Sequence, residues 1–167
     1  MCANGRVVKS LSERPAANAI FKRGHYVIPD TNVFLHCMDV LEHASAFYDV
    51  IVLQVVLEEV RARSLPLYTR LRSLTGPGDK RFYVFYNEFR TETHVRRLPG
   101  ETINDRNDRA VRTAAAWYRS HLLESVGESR APGIVMISDD KGNLEKAKRE
   151  GIDCCSRKFA FVSQEWG

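Results

Sequence analysis

The sequence predicts an α/β fold in which a central, mostly parallel sheet is flanked by layers of helices. Two unbroken apolar runs of strand length carry that expectation, Val50-Ile51-Val52-Leu53 and Ile134-Val135-Met136-Ile137. Strands of this kind suit a sheet covered on both faces. Strand-like and helix-like segments also alternate along the chain, as crossover connections between parallel strands require. With 167 residues and 44% hydrophobic composition, the chain encloses a core as one domain and is not a disordered polymer. No apolar run reaches the ~18 residues of a membrane span.

The elements follow in order. Residues 1–24 lack periodicity and read as a basic, flexible N-terminal segment, ahead of a domain over 25–167. Arg6, Lys9, Arg14, Lys22 and Arg23 stand there against one acid, Glu13, with no secretory core. His25 to Ile28 forms a first strand, stopped by Pro29. Asp30-Thr31-Asn32 caps a helix running to about Leu41. Val50 to Gln54 is a second strand, and Val55 to Arg63 a helix that Pro66 ends or bends. Gly76 to Asp79 turns the chain into a strand of aromatic and β-branched residues, Phe82 to Tyr86. Residues 87–104 form a loop long enough to be functional or mobile. Asp105 to Leu123 is the longest helix, followed by a loop to Gly133 and a strand, Ile134 to Ser138. A short helix, Asn143 to Glu150, closes at Gly151. Ile152 to Cys155 is a last strand and Lys158 to Trp166 a last helix.

Parallel sheets bind ligands beyond the carboxyl ends of their strands, and acids fall at that edge. Asp30 follows the first strand, Asp139 and Asp140 follow Ile134–Ser138, and Glu58 and Glu59 lie one turn into the second helix. Alone, each aspartate reads as a cap or turn residue and each glutamate as a solvated charge. Their joint placement marks a site. Advancing 100° per residue puts Val111, Ala115, Tyr118 and Leu122 on one apolar stripe, and Asp108 lies on it too. A carboxylate facing a core needs a buried basic partner, for which Arg112 is available, or a cation site. Asp105 falls off the stripe and suits an N-terminal cap or helix-dipole role. Trp117 is also off it, with no evident packing partner. On the second helix Glu59 borders the apolar side made by Val56, Leu57 and Val60, while Glu58 points away. Asp139 and Asp140 stay undivided, because consecutive residues leaving a strand point differently.

Gathered carboxylates repel one another and raise some of their pKa values. Mg²⁺ or Mn²⁺ removes that cost and prefers hard oxygen ligands. Two such ions about 4 Å apart activate a water and stabilise the leaving oxygen in phosphodiester hydrolysis. The five histidines lack metal-ligand spacing. The four cysteines contain no CxxC pair and read as free thiols of a reducing compartment. A net charge of +4 favours a polyanionic partner. A phosphotransfer domain of the haloacid-dehalogenase type wants a second aspartate where Asn32 stands, and no GxxxxGK[ST] loop occurs.

The segments His25-Tyr26-Val27-Ile28-Pro29-Asp30-Thr31-Asn32-Val33, Val50 to Gln54 with Glu59-Val60-Arg61, Asn104 to Arg109, and Ile137-Ser138-Asp139-Asp140 resemble the PIN-domain family. The likeness spans about residues 25 to 165 and lies nearest the N-terminal PIN endonuclease branch of catalytic exosome subunits. It implies a three-layer PIN-like fold whose acids are Asp30, Glu59, Asp108 and Asp140, which selects Asp140 over Asp139. Asn32 and Ser138 match positions that hold the acidic cluster, with Asp105 supporting from the helix start. The resemblance further implies an endoribonuclease that cuts single-stranded RNA with Mn²⁺ or Mg²⁺, two ions in all, leaving a 5′-phosphate and a 3′-hydroxyl. It implies a monomeric domain of a larger nuclear or cytoplasmic protein that docks on exosome ring subunits. A tether to that ring with little catalysis is the alternative. The family's upstream cysteine motif is reduced to Cys2, and its exonuclease and further RNA-binding domains are missing, so no exonuclease activity is expected. Arg61, Arg63, Arg106, Arg109 and Lys141 lie near the proposed mouth, where they could hold RNA phosphates. Phe89 and the run Phe82–Tyr86 offer stacking faces, although core packing accounts better for the run.

Overall fold

A computed structural model describes residues 24–43, 49–78 and 81–162. Its centre is a five-stranded sheet, and the apolar runs fill its middle. The strands are β1 (His25–Pro29), β2 (Asp49–Leu53), β3 (Arg81–Phe85), β4 (Gly133–Ile137) and β5 (Cys154–Cys155). They stand in the order β3-β2-β1-β4-β5, and every pairing is parallel. All five residues of β2 are buried, as a continuous apolar run with neighbours on both sides requires. Helices α1 (Thr31–Glu42), α2 (Gln54–Arg63), α3 (Leu65–Leu74), α4 (Ile103–Val126), α5 (Lys141–Arg149) and α6 (Arg157–Val162) flank the sheet. None of the described helices is long and apolar enough to cross a membrane.

The register at the centre positions the site. Pro29 on β1 lies beside Ile137 on β4, and the Asp30 N–H donates to the Ile137 carbonyl at 2.9 Å. Pro29 therefore ends β1 as its last residue instead of standing outside it, because its successor supplies the donor it lacks. The next residues after the two strands, Asp30 and Ser138, leave the sheet side by side.

Several bounds differ from expectation. The strands β2, β3 and β4 begin and end one residue earlier, and β5 has only two residues. Pro66 opens a helix that the pattern did not predict. The Ser64 side chain accepts from the Leu67 N–H, and Pro66 sits in the first turn, where a missing N–H costs nothing. Helix α4 starts at Ile103 and reaches Val126, stopped by Gly127 at φ 79°. Helix α1 is interrupted at Cys37, whose φ of −134° is not helical. The N-terminal segment and the end of the expected last helix lie outside the described residues.

Trp117 finds its partners in an aromatic stack. Its ring lies parallel to Phe85 at 5.3 Å and to His121 at 4.7 Å, with the Arg90 guanidinium 4.4 Å from its centre. Val111, Ala115, Tyr118 and Leu122 are buried, as the stripe required. Fully buried Phe34 ties α1 into the core that begins one turn after Asp30. Phe34→Ala is expected to lower the unfolding free energy by ~3–5 kcal/mol. Urea denaturation would read this as a lower midpoint at unchanged slope; an unmoved midpoint would refute the packing described.

Candidate active site

Asp30 leaves β1 and becomes the N-cap of α1, its Oδ1 accepting from the Val33 N–H at 3.0 Å. Asp140 does the same for α5, where Oδ1 accepts from the Asn143 N–H at 2.7 Å. Each cap commits one oxygen to a backbone N–H. Between them stands Ser138, fully buried. Its hydroxyl donates to the Asp30 carboxylate and accepts from the Asp140 N–H at 3.1 Å, which joins the two acids through one side chain.

Asp139 turns elsewhere. It accepts from the Arg157 N–H at 3.1 Å and pairs with its guanidinium at 2.9 Å. The choice that spacing left open is thus made by the start of α6. The glutamates separate as the helical wheel expected. Glu58 accepts from Gln54 at 2.8 Å and is exposed. Glu59 faces inward, taking the Thr31 hydroxyl at 2.7 Å on one oxygen and Arg63 at 2.8 Å on the other.

Asp108 faces the same space from α4. Its carboxyl is pushed up from an ordinary 3.8 to about 6, first by burial, then by the charges of Asp140 and Asp30, with Glu59 adding to the push. Arg112 pulls the other way only through space. That arginine is buried and gives its hydrogen bonds to Asn143 at 2.6 Å and Glu150 at 3.1 Å. Burial also raises the Asp30 carboxyl, opposed by Ser138 and the Val33 and Asn32 N–H groups. One cleft is lined by Asp30, Glu59, Asp108 and Asp140, together with Thr31, Asn32, Arg63, Asn104 and Asn107, and Val55, Val56 and Val111 form its apolar side.

A PIN domain family model matches residues 27–158. The chain belongs to the PIN domain family. The mouse protein named exosome complex exonuclease RRP44 is 48% identical over 156 residues, covering 93% of this chain and 15% of the mouse protein. The Schizosaccharomyces pombe exosome complex exonuclease dis3 is 47% identical over 148 residues, covering 89% of this chain and 15% of that protein. The solved T. brucei RRP44 PIN domain matches with a TM-score of 0.72 at 33% identity, over 87% of this chain and 78% of that one. The family resemblance read from the sequence and its three-layer α/β fold are both borne out. The chain spans only about 15% of the length of these full-length relatives.

The remaining marked residues of this PIN domain fall in different places. Arg63 lines the cleft, paired with Glu59. Arg61 lies over the Tyr68 ring at 5.7 Å, and Lys141 is exposed at the start of α5. Arg106 bonds Glu88 at 2.5 Å and the Val95 carbonyl at 2.8 Å. Arg109 grips both oxygens of Glu101 at 2.8 Å, holding that carboxyl down to about 2. These two arginines tie the 87–102 segment to α4. Asp105 is exposed in the first turn of α4, but Thr102 is the cap. The Thr102 hydroxyl accepts from the Asp105 N–H and donates to its carboxylate at 2.6 Å. Sequence reasoning passed over Asn104 and Asn107, although one helical turn separates Asn104 from Asn107 and Asp108 and so places all three on one face.

Among the described residues no three His, Cys, Asp or Glu side chains form a ready-made cation cage. The four acids instead surround a cleft with oxygen donors alone, and burial, with the neighbouring charges of Asp140, Asp30 and Glu59, raises the Asp108 carboxyl. That donor set fits Mg²⁺ or Mn²⁺, which accept carboxylate and water together.

Asp108 also sets a pH dependence. In the folded protein it keeps its proton up to about pH 6, whereas in the unfolded chain it loses it near 3.8. Stability therefore falls as pH rises through that window, and the cost is complete above it. In chelator at pH 7, Asp108→Asn is expected to raise the melting temperature, by ~2–4 °C for each kcal/mol relieved. The gain should vanish near pH 4 in calorimetry. A variant no more stable than the parent at pH 7 would contradict the burial and crowding of this carboxylate.

Proposed function

We propose that this PIN domain is a divalent-metal-dependent endoribonuclease that hydrolyses phosphodiester bonds within single-stranded RNA, leaving a 5′-phosphate and a 3′-hydroxyl. The observation that carries the reading is the meeting of Asp30, Glu59, Asp108 and Asp140 around one cleft. Kinship with proteins named exosome complex exonucleases supports RNA as the substrate, and exosome ring subunits as partners in nuclear or cytoplasmic RNA processing or decay.

Asp30, Asp108 and Asp140 would hold two Mg²⁺ or Mn²⁺ ions, directly or through water, with Glu59 completing the cluster or orienting the attacking water. Bound ions supply a water of lowered pKa and balance charge on the leaving oxygen, so no histidine base is needed. The chain's own part is arrangement. The two helix caps and Ser138 fix Asp30 and Asp140. Thr31 and Arg63 hold the Glu59 carboxylate in place. Asn32, Asn104, Asn107 and Arg63 offer neutral and cationic donors to phosphate oxygens at the same cleft.

Circular single-stranded RNA with Mn²⁺ provides the test, since a circle has no end to digest. Linearisation is expected, and Asp30→Asn should leave the circle intact. Ser138→Ala should slow cutting ~10–100-fold, the usual effect of removing a group that orients ligands. An uncut circle beside tight binding to exosome ring subunits would instead favour a tethering domain. Cutting that survives Asp30→Asn would point to a contaminant.

A further inference from the structure

The segment between β3 and α4 is anchored at both ends of its first turn, yet it holds aromatic rings in solvent. Asn87 is fully buried, and its side chain accepts from the N–H of Val55, a residue of the cleft wall. The Thr93 hydroxyl donates to the Asn87 carbonyl at 2.9 Å. Glu88 receives the Asn87 amide at 3.0 Å and Arg106 at 2.5 Å. Arg106 also reaches Asn107, another residue of the cleft lining. The Phe89 N–H closes a 3₁₀ turn onto the Tyr86 carbonyl at 3.2 Å. Tyr86 caps that turn and Phe89 is its last residue. Phe89 is 82% exposed and Tyr86 49% exposed. Phe85, one residue earlier, points inward and stacks on Trp117.

A large ring held in water by a fixed backbone is an unmatched apolar face, and the residues flanking it are hydrogen-bonded to the cleft lining, Asn87 to Val55 and Glu88, through Arg106, to Asn107. Exposed Arg96 and Arg97 follow a few residues later on the same segment. Aromatic rings beside cationic side chains are the combination that receives single-stranded nucleic acid without regard to sequence. We propose that Phe89, with Tyr86 beside it, is a base-stacking platform that seats the single strand next to the cleft. The proposal rests on RNA being the substrate. It assigns Arg106 and Arg109 to building the platform and not to gripping phosphates. Stacking fixes the nucleotides adjoining the scissile bond and tolerates any base, because every base has a flat face.

Binding can be measured apart from cutting. Fluorescein-labelled oligoadenylate is titrated in chelator onto the full chain and three variants, Phe89→Ala, Phe89→Leu and Phe89→Trp. Phe89→Ala and Phe89→Leu should each weaken binding about tenfold or more, and Phe89→Trp should keep it. The introduced tryptophan's fluorescence should be quenched by bound RNA. If Phe89→Ala binds as tightly as the parent, or Phe89→Leu does, stacking at this position is overturned. It is equally overturned if the Phe89 variants keep RNA affinity and lose binding to exosome ring subunits, because the face would then be a protein contact. RNA binding that depends on Phe89 in a chain that leaves circular RNA uncut would uphold the platform and refute only the nuclease reading.

Discussion

Asp30, Glu59, Asp108 and Asp140 repel one another, and the chain must hold them together before any cation arrives between them. Much of the local structure is an answer to that repulsion. Two of the acids cap helices, so each gives one oxygen to backbone N–H groups at a positive helix end. A third shares its oxygens between a hydroxyl and a guanidinium. The fourth, Asp108, is raised first by its burial and then by the charges of Asp140 and Asp30. The apolar wall of Val55, Val56 and Val111 keeps the charges from being diluted by water.

The basic residues answer a different need. Arg112 links α4 to the first turn of α5 through Asn143, whose N–H in turn binds Asp140. Arg157 draws Asp139 away from the cleft. Arg106 and Arg109 fasten the long segment before α4 through Glu88 and Glu101. Those four guanidiniums are paired close to where they stand, and the arginine that lines the cleft, Arg63, is held by Glu59.

How far the sequence could be read depended on whether a local rule governed the choice. Periodicity separated Glu59 from Glu58 and put Asp108 on the inner stripe of α4, because burial enforces the helical repeat. Asp140 could not be told from Asp139 by spacing, since Arg157, a residue from the next helix, decides between them. Resemblance supplied what geometry did not. Helix α3 is hidden in the sequence because a proline after a helical run reads as ending or bending it, although Ser64 followed by an early proline is a start signal. The roles of Arg106 and Arg109 were illegible for another reason. A guanidinium near a cleft looks the same in sequence whether its acceptor is a phosphate or a glutamate of its own loop.

The register of the central strands has a bearing on how the molecule comes into being. β1 and β4 are neighbours in the sheet but come from distant parts of the chain, and Ser138 joins the acids that follow them. During synthesis the first three acids emerge while β4 is still unmade. Until that strand pairs with β1, Asp30 has no Ser138 and Asp140 is not yet beside it. Such long-range parallel pairing forms late, because a long loop must close before any contact rewards it. The four acids therefore come together only when the sheet is complete.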